Sequence, residues 1–229
     1  MPCSYWYDSA NKPRLLYNYA MSSYKTILTP CTAEIEEKKS RFIAHLFPVQ
    51  TEEEALTFLE EVRSEHRMAR HNVYAYIIRA ENSTERVRYS DDGEPQKTAG
   101  LPCLDTLRHA QVSNIAVVVT RYFGGTLLGT GGLVRAYTQA TQAALEQAEI
   151  VTISRCVDIT ITLPYALHDQ ILHIAQECGA KVVSTEYTDA VTVVLRMIDG
   201  TQAPLLSKLQ EIFRGEEPLH VSAPYDAAF

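Results

Sequence analysis

The sequence predicts an α+β protein with two domains, residues 21–154 and residues 155–229. Two observations predict this class. Runs of alternating apolar residues, typical of strands, recur between runs with apolar residues three and four positions apart, typical of helices. Charge is also divided unequally, because residues 156–229 carry four Lys and Arg against ten Asp and Glu, so −6 of the total net charge of −7 lies there. This change of composition indicates a domain boundary.

Composition limits the class of protein. With 229 residues, 46% hydrophobic and 21% charged, the chain is typical of soluble globular proteins, and no apolar run is long enough to span a bilayer. The N-terminus lacks the pattern of a secretory signal, and the five cysteines are scattered without a disulfide framework. We therefore expect a cytoplasmic protein with reduced thiols and no membrane contact.

Residues 1–20 are rich in tyrosine but show no periodicity. We expect a flexible extension here, with an ordered N-terminal arm as the alternative. The sequence leaves open whether Met1 or Met21 is the start.

Three predicted strands and a helix begin the N-terminal domain, with the strands at residues 25–28, 33–38 and 41–47. Thr51 and Glu54 form a capping box, which predicts a helix that continues to about residue 67. Two groups of cations accompany these elements. Each group is either a solvated surface, favoured at the helix end by the helix dipole, or a phosphate contact. They are Lys38, Lys39 and Arg41 between the strands, and Arg63, His66, Arg67, Arg70 and His71 at the helix end.

A predicted strand pair, residues 73–79 and 86–89, precedes a turn with the three carboxylates Asp91, Asp92 and Glu94. Clustered carboxylates can hold a hard cation or act as an acid and a base. Aspartates at turns also accept hydrogen bonds from the local backbone. The spacing is not that of an EF-hand, and we predict no metal site.

The glycine-rich stretch, residues 120–135, is the most informative part of the chain. A helix that starts at Pro102 leads to the short apolar strand Ile115–Val119, and a second helical pattern follows the glycines. Glycine permits positive φ and close approach, and a helix N-terminus presents unpaired N–H groups. The stretch is therefore either an anion site or a tight chain reversal. We expect glycine to be required by the backbone geometry at Gly125 and Gly131.

Neither common nucleotide motif fits this stretch. It lacks the Gly-Lys-Ser/Thr ending of a P-loop, and Val134 occupies the position where the dinucleotide fingerprint requires its third glycine. Nucleotide sites of those two types are therefore disfavoured.

The predicted elements of residues 155–229 follow the order βαββαβ, which is the ferredoxin-like arrangement. In order they are strand 156–163, helix 166–178, strands 181–187 and 191–197, helix 203–213 and strand 219–222. Because this domain is strongly acidic, we expect any polyanion to bind the N-terminal domain instead.

Three blocks of the sequence resemble the YigZ/IMPACT family, in the family's order and spacing. They are Arg121-Tyr-Phe-Gly-Gly-x-x-Leu-Gly-Thr-Gly-Gly-Leu-Val-Arg-Ala-Tyr137, His71-Asn-Val-Tyr-Ala-Tyr76, and Ser90-Asp-Asp-Gly-Glu-Pro95 with Thr98-Ala-Gly100. The resemblance extends from Met21 onward. It implies an N-terminal α/β domain similar to domain IV of elongation factor G and to a small-subunit ribosomal-protein domain, followed by the ferredoxin-like domain.

The resemblance also implies a role in translation. Eukaryotic members with this domain bind the ribosome-associated activator of the starvation kinase, bacterial members are thought to bind nucleic acid, and no catalytic activity is securely attached to the family. This chain departs from the family at Gln96-Lys97, where a small residue and glycine usually follow Glu-Pro. The change removes a flexible hinge and adds a cation beside the carboxylate turn.

Two classes of function follow. We expect a non-enzymatic protein, without a cofactor, that contacts RNA, the ribosome or a translation regulator through its N-terminal domain. Sequence-specific duplex DNA is not expected as a partner, and the oligomeric state stays open. The alternative is an enzyme of phosphorylated substrates that uses the glycine-rich turn for phosphate and the carboxylates for Mg²⁺ or as a base.

The candidate ligand-binding residues lie in the glycine-rich and acidic blocks. Arg121 has two possible roles, a clamp onto one of the carboxylates or a ligand contact. As ligand contacts, Arg121 and Arg135 would bind phosphate or carboxylate, and Tyr122 would stack on the ligand. The full set is Arg121, Tyr122, Gly124, Gly125, Gly131, Gly132, Arg135, Asp91, Asp92 and Glu94.

Overall fold

The computed structural model describes residues 23–80, 84–214 and 219–229. Within these residues the protein is α+β, with two sheets and a separate hydrophobic core for each of two domains. The predicted extension, residues 1–20, lies outside the described residues. No helix in the described ranges is long and apolar enough to cross a membrane.

Strands and helices alternate along the chain. In order they are β1 (Tyr24–Ile27), β2 (Cys31–Glu37), β3 (Ser40–Pro48), α1 (Glu52–Glu65), β4 (His71–Arg79), β5 (Glu85–Ser90), α2 (Gly100–His109), β6 (Ile115–Tyr122), α3 (Gly129–Gln147), β7 (Ile150–Leu163), α4 (His168–Glu177), β8 (Lys181–Tyr187), β9 (Val191–Ile198), α5 (Ala203–Phe213), β10 (Leu219–Val221) and β11 (Tyr225–Ala228).

The N-terminal domain is built around β6. Its sheet has the order β2-β3-β6-β4-β5, and every neighbouring pair is antiparallel. Val117 and Val119 face the core that contains α2 and α3, whereas Ala116 and Val118 face the core beneath α1. Helices therefore cover both faces, and this explains why β6 is apolar throughout its first half.

The C-terminal sheet has the ferredoxin-like order β10-β7-β9-β8, with antiparallel neighbours. Residues of α4 and α5 share one hydrophobic cluster with β7 and β9. The predicted elements are present, but β7 begins at Ile150 rather than at residue 156. Its first residues pair with β1, and the unpredicted strand β11 pairs with it near Ser154.

The proposed domain boundary after residue 154 therefore falls inside one continuous strand. The hydrophobic clusters divide nearby, since the N-terminal cluster ends at Leu145 and the C-terminal cluster begins at Val157. The division of the cores favours a boundary in this region.

Candidate functional site

The glycine-rich loop, residues 123–128 between β6 and α3, is fixed against the turn between β2 and β3. The Gly124 amide donates to Ser40 Oγ at 3.1 Å. A Cβ atom on Gly124 would lie 2.0 Å from the backbone of Lys39, so a larger residue has no room there. Gly125 has a φ of +87°, in the region that favours glycine. The conformation of this loop therefore depends on Gly124 and Gly125.

Gly131 and Gly132 lie in the first turn of α3. Gly131 does not have a left-handed φ, and its Cβ would come no closer than 3.8 Å to Arg135 Nη1. The prediction that backbone geometry requires glycine at Gly131 is wrong, because the residue is part of a regular helix. A Cβ on Gly132 would lie 2.9 Å from Leu128 Cβ. Leu128 is the N-cap residue and makes no side-chain capping hydrogen bond, so no side chain caps the start of α3.

Arg121, near the end of β6, is buried against Glu94. Arg121 Nη1 donates to Glu94 Oε1 at 2.6 Å, and the two side chains are only 7% and 4% exposed. The hydroxyl of Tyr137, on α3, donates to the same carboxylate oxygen at 2.9 Å. Burial, reinforced by the charge of Glu94, raises the pKa of Tyr137, so this hydroxyl remains a donor. The guanidinium also lies 5.4 Å from the ring centre of Phe42.

This geometry matches the first of the two roles considered for Arg121, a clamp onto a carboxylate of the acidic turn. A ligand cannot reach Arg121 or Glu94 without displacing the buried pair, and a charge left unpaired in the interior is costly. Both residues therefore position the acidic turn and α3 relative to β6.

Asp91 and Asp92 bond mainly to the backbone. Asp91 accepts hydrogen bonds from the amides before and at the start of α2, those of Lys97, Ala99 and Gly100, at 2.8, 3.1 and 2.9 Å. Asp92 accepts hydrogen bonds from the main-chain N–H of Asn72 at 2.6 Å and from Arg63 Nη2 at 3.1 Å. Of the three roles considered for the acidic turn, the geometry matches backbone capping. Across the described ranges, no group of three or more His, Cys, Asp or Glu could hold a metal ion.

Tyr122 points to the other face of the sheet, toward the end of α1. Its hydroxyl lies 3.0 Å from Nδ1 of His66, and the ring of His66 lies 5.1 Å from that of His45. Burial, with the neighbouring His66, lowers the pKa of His45. The Arg41 guanidinium lies 5.6 Å from the centre of the Tyr122 ring. Tyr122 is therefore a half-buried packing residue rather than an open stacking platform.

Exposed cations lie next to the glycine-rich loop and next to the start of α3. Lys38 and Lys39 form the turn between β2 and β3, and their φ values of 48° and 66° match a type I′ hairpin turn. Arg135 lies on the exposed side of α3 beside Gly131. Of the three, none forms an ion pair with any residue in the described ranges. We call Lys38, Lys39 and Arg135 the basic rim.

The structure thus divides the candidate residues. Arg121, Glu94, Asp91 and Asp92 bond within the protein, whereas Gly125, Gly131 and Arg135 remain exposed. Sequence reasoning missed the role of Tyr137, which lies 43 residues from Glu94, because no local pattern connects residues so far apart.

Two family models match the sequence. The Impact N-terminal domain matches residues 38–145, and a domain of unknown function (DUF1949) matches residues 161–216. The first match contains the acidic turn, β6, the glycine-rich loop and the basic rim.

A bacterial protein and a solved structure are similar over most of the chain, and a eukaryotic protein is similar over less than half of it. IMPACT family member YigZ of Escherichia coli (strain K12) is 36% identical over 195 residues, 85% of this chain and 96% of that protein. The Protein IMPACT homolog of Dictyostelium discoideum is 43% identical over 97 residues, 42% of this chain and 28% of that protein. A crystal structure described as a hypothetical protein has 35% identity and a TM-score of 0.57, covering 89% of this chain and 98% of the other.

The resemblance inferred from the glycine-rich and acidic blocks is confirmed over almost the whole length of a bacterial relative. The chain belongs to the IMPACT family.

Proposed function

We propose that this chain is a non-enzymatic, translation-associated protein of the cytoplasm that binds single-stranded RNA segments through the basic rim. The observation that carries the proposal is the exposure of Lys38, Lys39 and Arg135 around the glycine-rich loop, without an acidic partner among the described residues. Such cations attract phosphate oxygens, and release of counterions from RNA then favours binding.

Two features of the backbone support an anionic ligand here. The N-terminus of α3 has no side-chain cap, so its amides and the helix dipole favour negative charge. The exposed Gly125 and Gly131 leave room for a phosphate to approach the main chain. The acidic C-terminal domain is a poor surface for the same ligand, because its net charge of −6 would repel phosphate.

The association with translation rests on the family. The resemblance implies ribosome-associated partners for proteins with this N-terminal domain, and the relative from Dictyostelium discoideum is similar over a length close to that of the Impact N-terminal domain. The enzyme alternative has no comparable support, because Asp91 and Asp92 accept backbone hydrogen bonds and Glu94 is paired with Arg121.

The test compares two triple variants with the same change in net charge. The site variant is Lys38→Gln, Lys39→Gln, Arg135→Gln; the control is Lys25→Gln, Arg86→Gln, Arg214→Gln, at exposed positions outside the rim. Binding of a single-stranded RNA is measured by fluorescence anisotropy at several salt concentrations. If all three rim cations contact phosphates, the slope of log K against log salt falls by about 2 in the site variant only.

Equal losses in the two triple variants would mean that net charge alone attracts the RNA, and the proposal would be wrong. It would also be wrong if the unmodified protein bound no RNA at low salt.

A further inference from the structure

The C-terminal domain carries an aromatic cluster that the proposed function does not use. Tyr165 and Tyr187 are 54% and 60% exposed. Their rings are stacked, with centroids 6.2 Å apart and planes inclined by 24°. Two large aromatic side chains so close together and so exposed are characteristic of binding surfaces, where tyrosine is enriched among the residues that dominate affinity.

The cluster is held in place by the elements at this end of the domain. The Tyr165 hydroxyl donates to the Thr188 carbonyl at 2.6 Å, which ties the segment after β7 to the β8–β9 turn. The ring of His168, at the start of α4, lies 5.6 Å from that of Tyr187. The rings are therefore oriented before any partner binds, which lowers the entropic cost of binding.

The charge around the cluster is negative. Asp169 is fully exposed, and its Oδ1 lies 3.1 Å from His168 Nδ1, which leaves Oδ2 open to solvent. Asp189 is exposed in the turn after Tyr187. The cations Lys181 and Arg196 lie opposite each other in the strand register, at the end of the β8–β9 hairpin away from the cluster. Arg196 also forms an ion pair with Asp158. Exposed aromatic faces with nearby carboxylates attract cations, because the ring quadrupole and the carboxylate charge act in the same direction.

We propose that Tyr165, Tyr187, Asp169 and Asp189 form a docking surface for an arginine- or lysine-rich peptide segment of a partner protein. The aromatic faces receive the cationic side chains, Asp169 and Asp189 pair with them, and the net charge of −6 in residues 156–229 attracts the segment over a longer range. A nucleic-acid strand would meet the same rings but would be repelled by these carboxylates. The two domains would then bind partners of opposite charge.

The test uses the full chain and a fluorescein-labelled peptide in which arginine and serine alternate. The Tyr165→Leu, Tyr187→Leu variant removes the aromatic faces without changing net charge, and we expect it to bind the peptide roughly tenfold more weakly. The Tyr165→Phe, Tyr187→Phe variant keeps the faces but loses the Tyr165 hydrogen bond to Thr188, so it should bind several times more tightly than the Leu variant and slightly more weakly than the unmodified protein. Circular dichroism and urea unfolding check that each variant remains folded.

A second pair of variants separates the local carboxylates from overall charge. Asp169→Asn, Asp189→Asn should weaken peptide binding, whereas Glu61→Gln, Glu211→Gln, with the same change in net charge at exposed positions elsewhere, should not. Failure of the unmodified protein to bind the peptide, equal binding by the Leu and Phe variants, or equal losses in the two charge variants would each overturn the proposal. The proposal would also be overturned if the Tyr165→Leu, Tyr187→Leu variant lost affinity for an oligouridine but not for the peptide. That result would assign the rings to RNA bases instead.

Discussion

Replacing Arg121 by methionine should strongly destabilise the N-terminal domain. The substitution keeps most of the side-chain volume but leaves the buried Glu94 carboxylate, whose side chain is only 4% exposed, with the Tyr137 hydroxyl as its remaining side-chain donor among the described residues. Removing one partner of a buried ion pair typically costs about 3–5 kcal/mol. Since whole domains are stable by only about 5–15 kcal/mol, we expect a large fall in the urea midpoint of this domain.

A double-mutant cycle with Glu94→Leu isolates the interaction between the two buried charges. The double variant has no unpaired ion and retains mainly the cost of the unsatisfied Tyr137 hydroxyl, about 1–3 kcal/mol, so it should be more stable than either single variant. Urea unfolding followed by circular dichroism measures each free energy of unfolding. Additive losses would refute the clamp. If a single variant does not fold, recovery of folded structure in the double variant is the expected outcome.

Arg135→Met is the matched control, because this arginine is exposed and makes no ion pair within the described residues. It should change the free energy of unfolding by no more than about 0.5 kcal/mol. A loss comparable to that of Arg121→Met would show that any arginine near the loop is structurally required.

Two further predictions concern other parts of the chain. Gly124→Ala should destabilise the domain by about 2 kcal/mol or more, because its Cβ would overlap the Lys39 backbone at 2.0 Å. Gly131→Ala, in the exposed first turn of α3, should be neutral or stabilise the domain by up to about 1 kcal/mol. Urea unfolding compares the two variants, and equal losses would contradict the assigned geometry. Hydrogen bonding from Arg196 lowers the pKa of Asp158, so its stabilising contribution is present above the ordinary carboxyl pKa and is lost as pH falls through the lowered value. Asp158→Asn should therefore weaken the acid dependence of unfolding of the C-terminal domain, and an unchanged pH profile would contradict this.

Periodicity predicted most of the fold because most elements bury one continuous apolar face. The bounds of α5 and β8 agree with the sequence pattern to the residue. β6 was predicted to end at Val119, where the apolar run ends, but the strand continues to Tyr122. Its hydrogen-bonding ladder continues beside β3 and β4, and the charge of Arg121 is neutralised by a residue distant in sequence. Hydropathy alone cannot report that compensation.

The sequence did not predict β11, although it predicted the equally short β1 and the shorter β10. β11 contains only four residues, and its pairing with β7 joins segments about as far apart as the length of the C-terminal domain. Strand formation there depends on a tertiary partner rather than on local preference. The same reason explains why β7 was predicted too short, since its first residues pair with β1 and β11.

The candidate site shows a different limit. Asp91, Asp92 and Glu94 are close in sequence and suggest one carboxylate cluster, yet each bonds to different elements. Asp91 bonds to the start of α2, Asp92 to β4 and α1, and Glu94 to β6 and α3. Each carboxylate is thereby neutralised or solvated by the protein, which explains how a chain with a net charge of −7 can present a basic surface beside its acidic turn. The acidic and glycine-rich blocks therefore act as one unit. The acids fix the positions of α2, α3 and β6, and the cations of the basic rim remain exposed and outside these ion pairs. Under the proposed function, weakening the acidic block should reduce RNA binding indirectly, through the position of the loop, because its carboxylates bond within the protein.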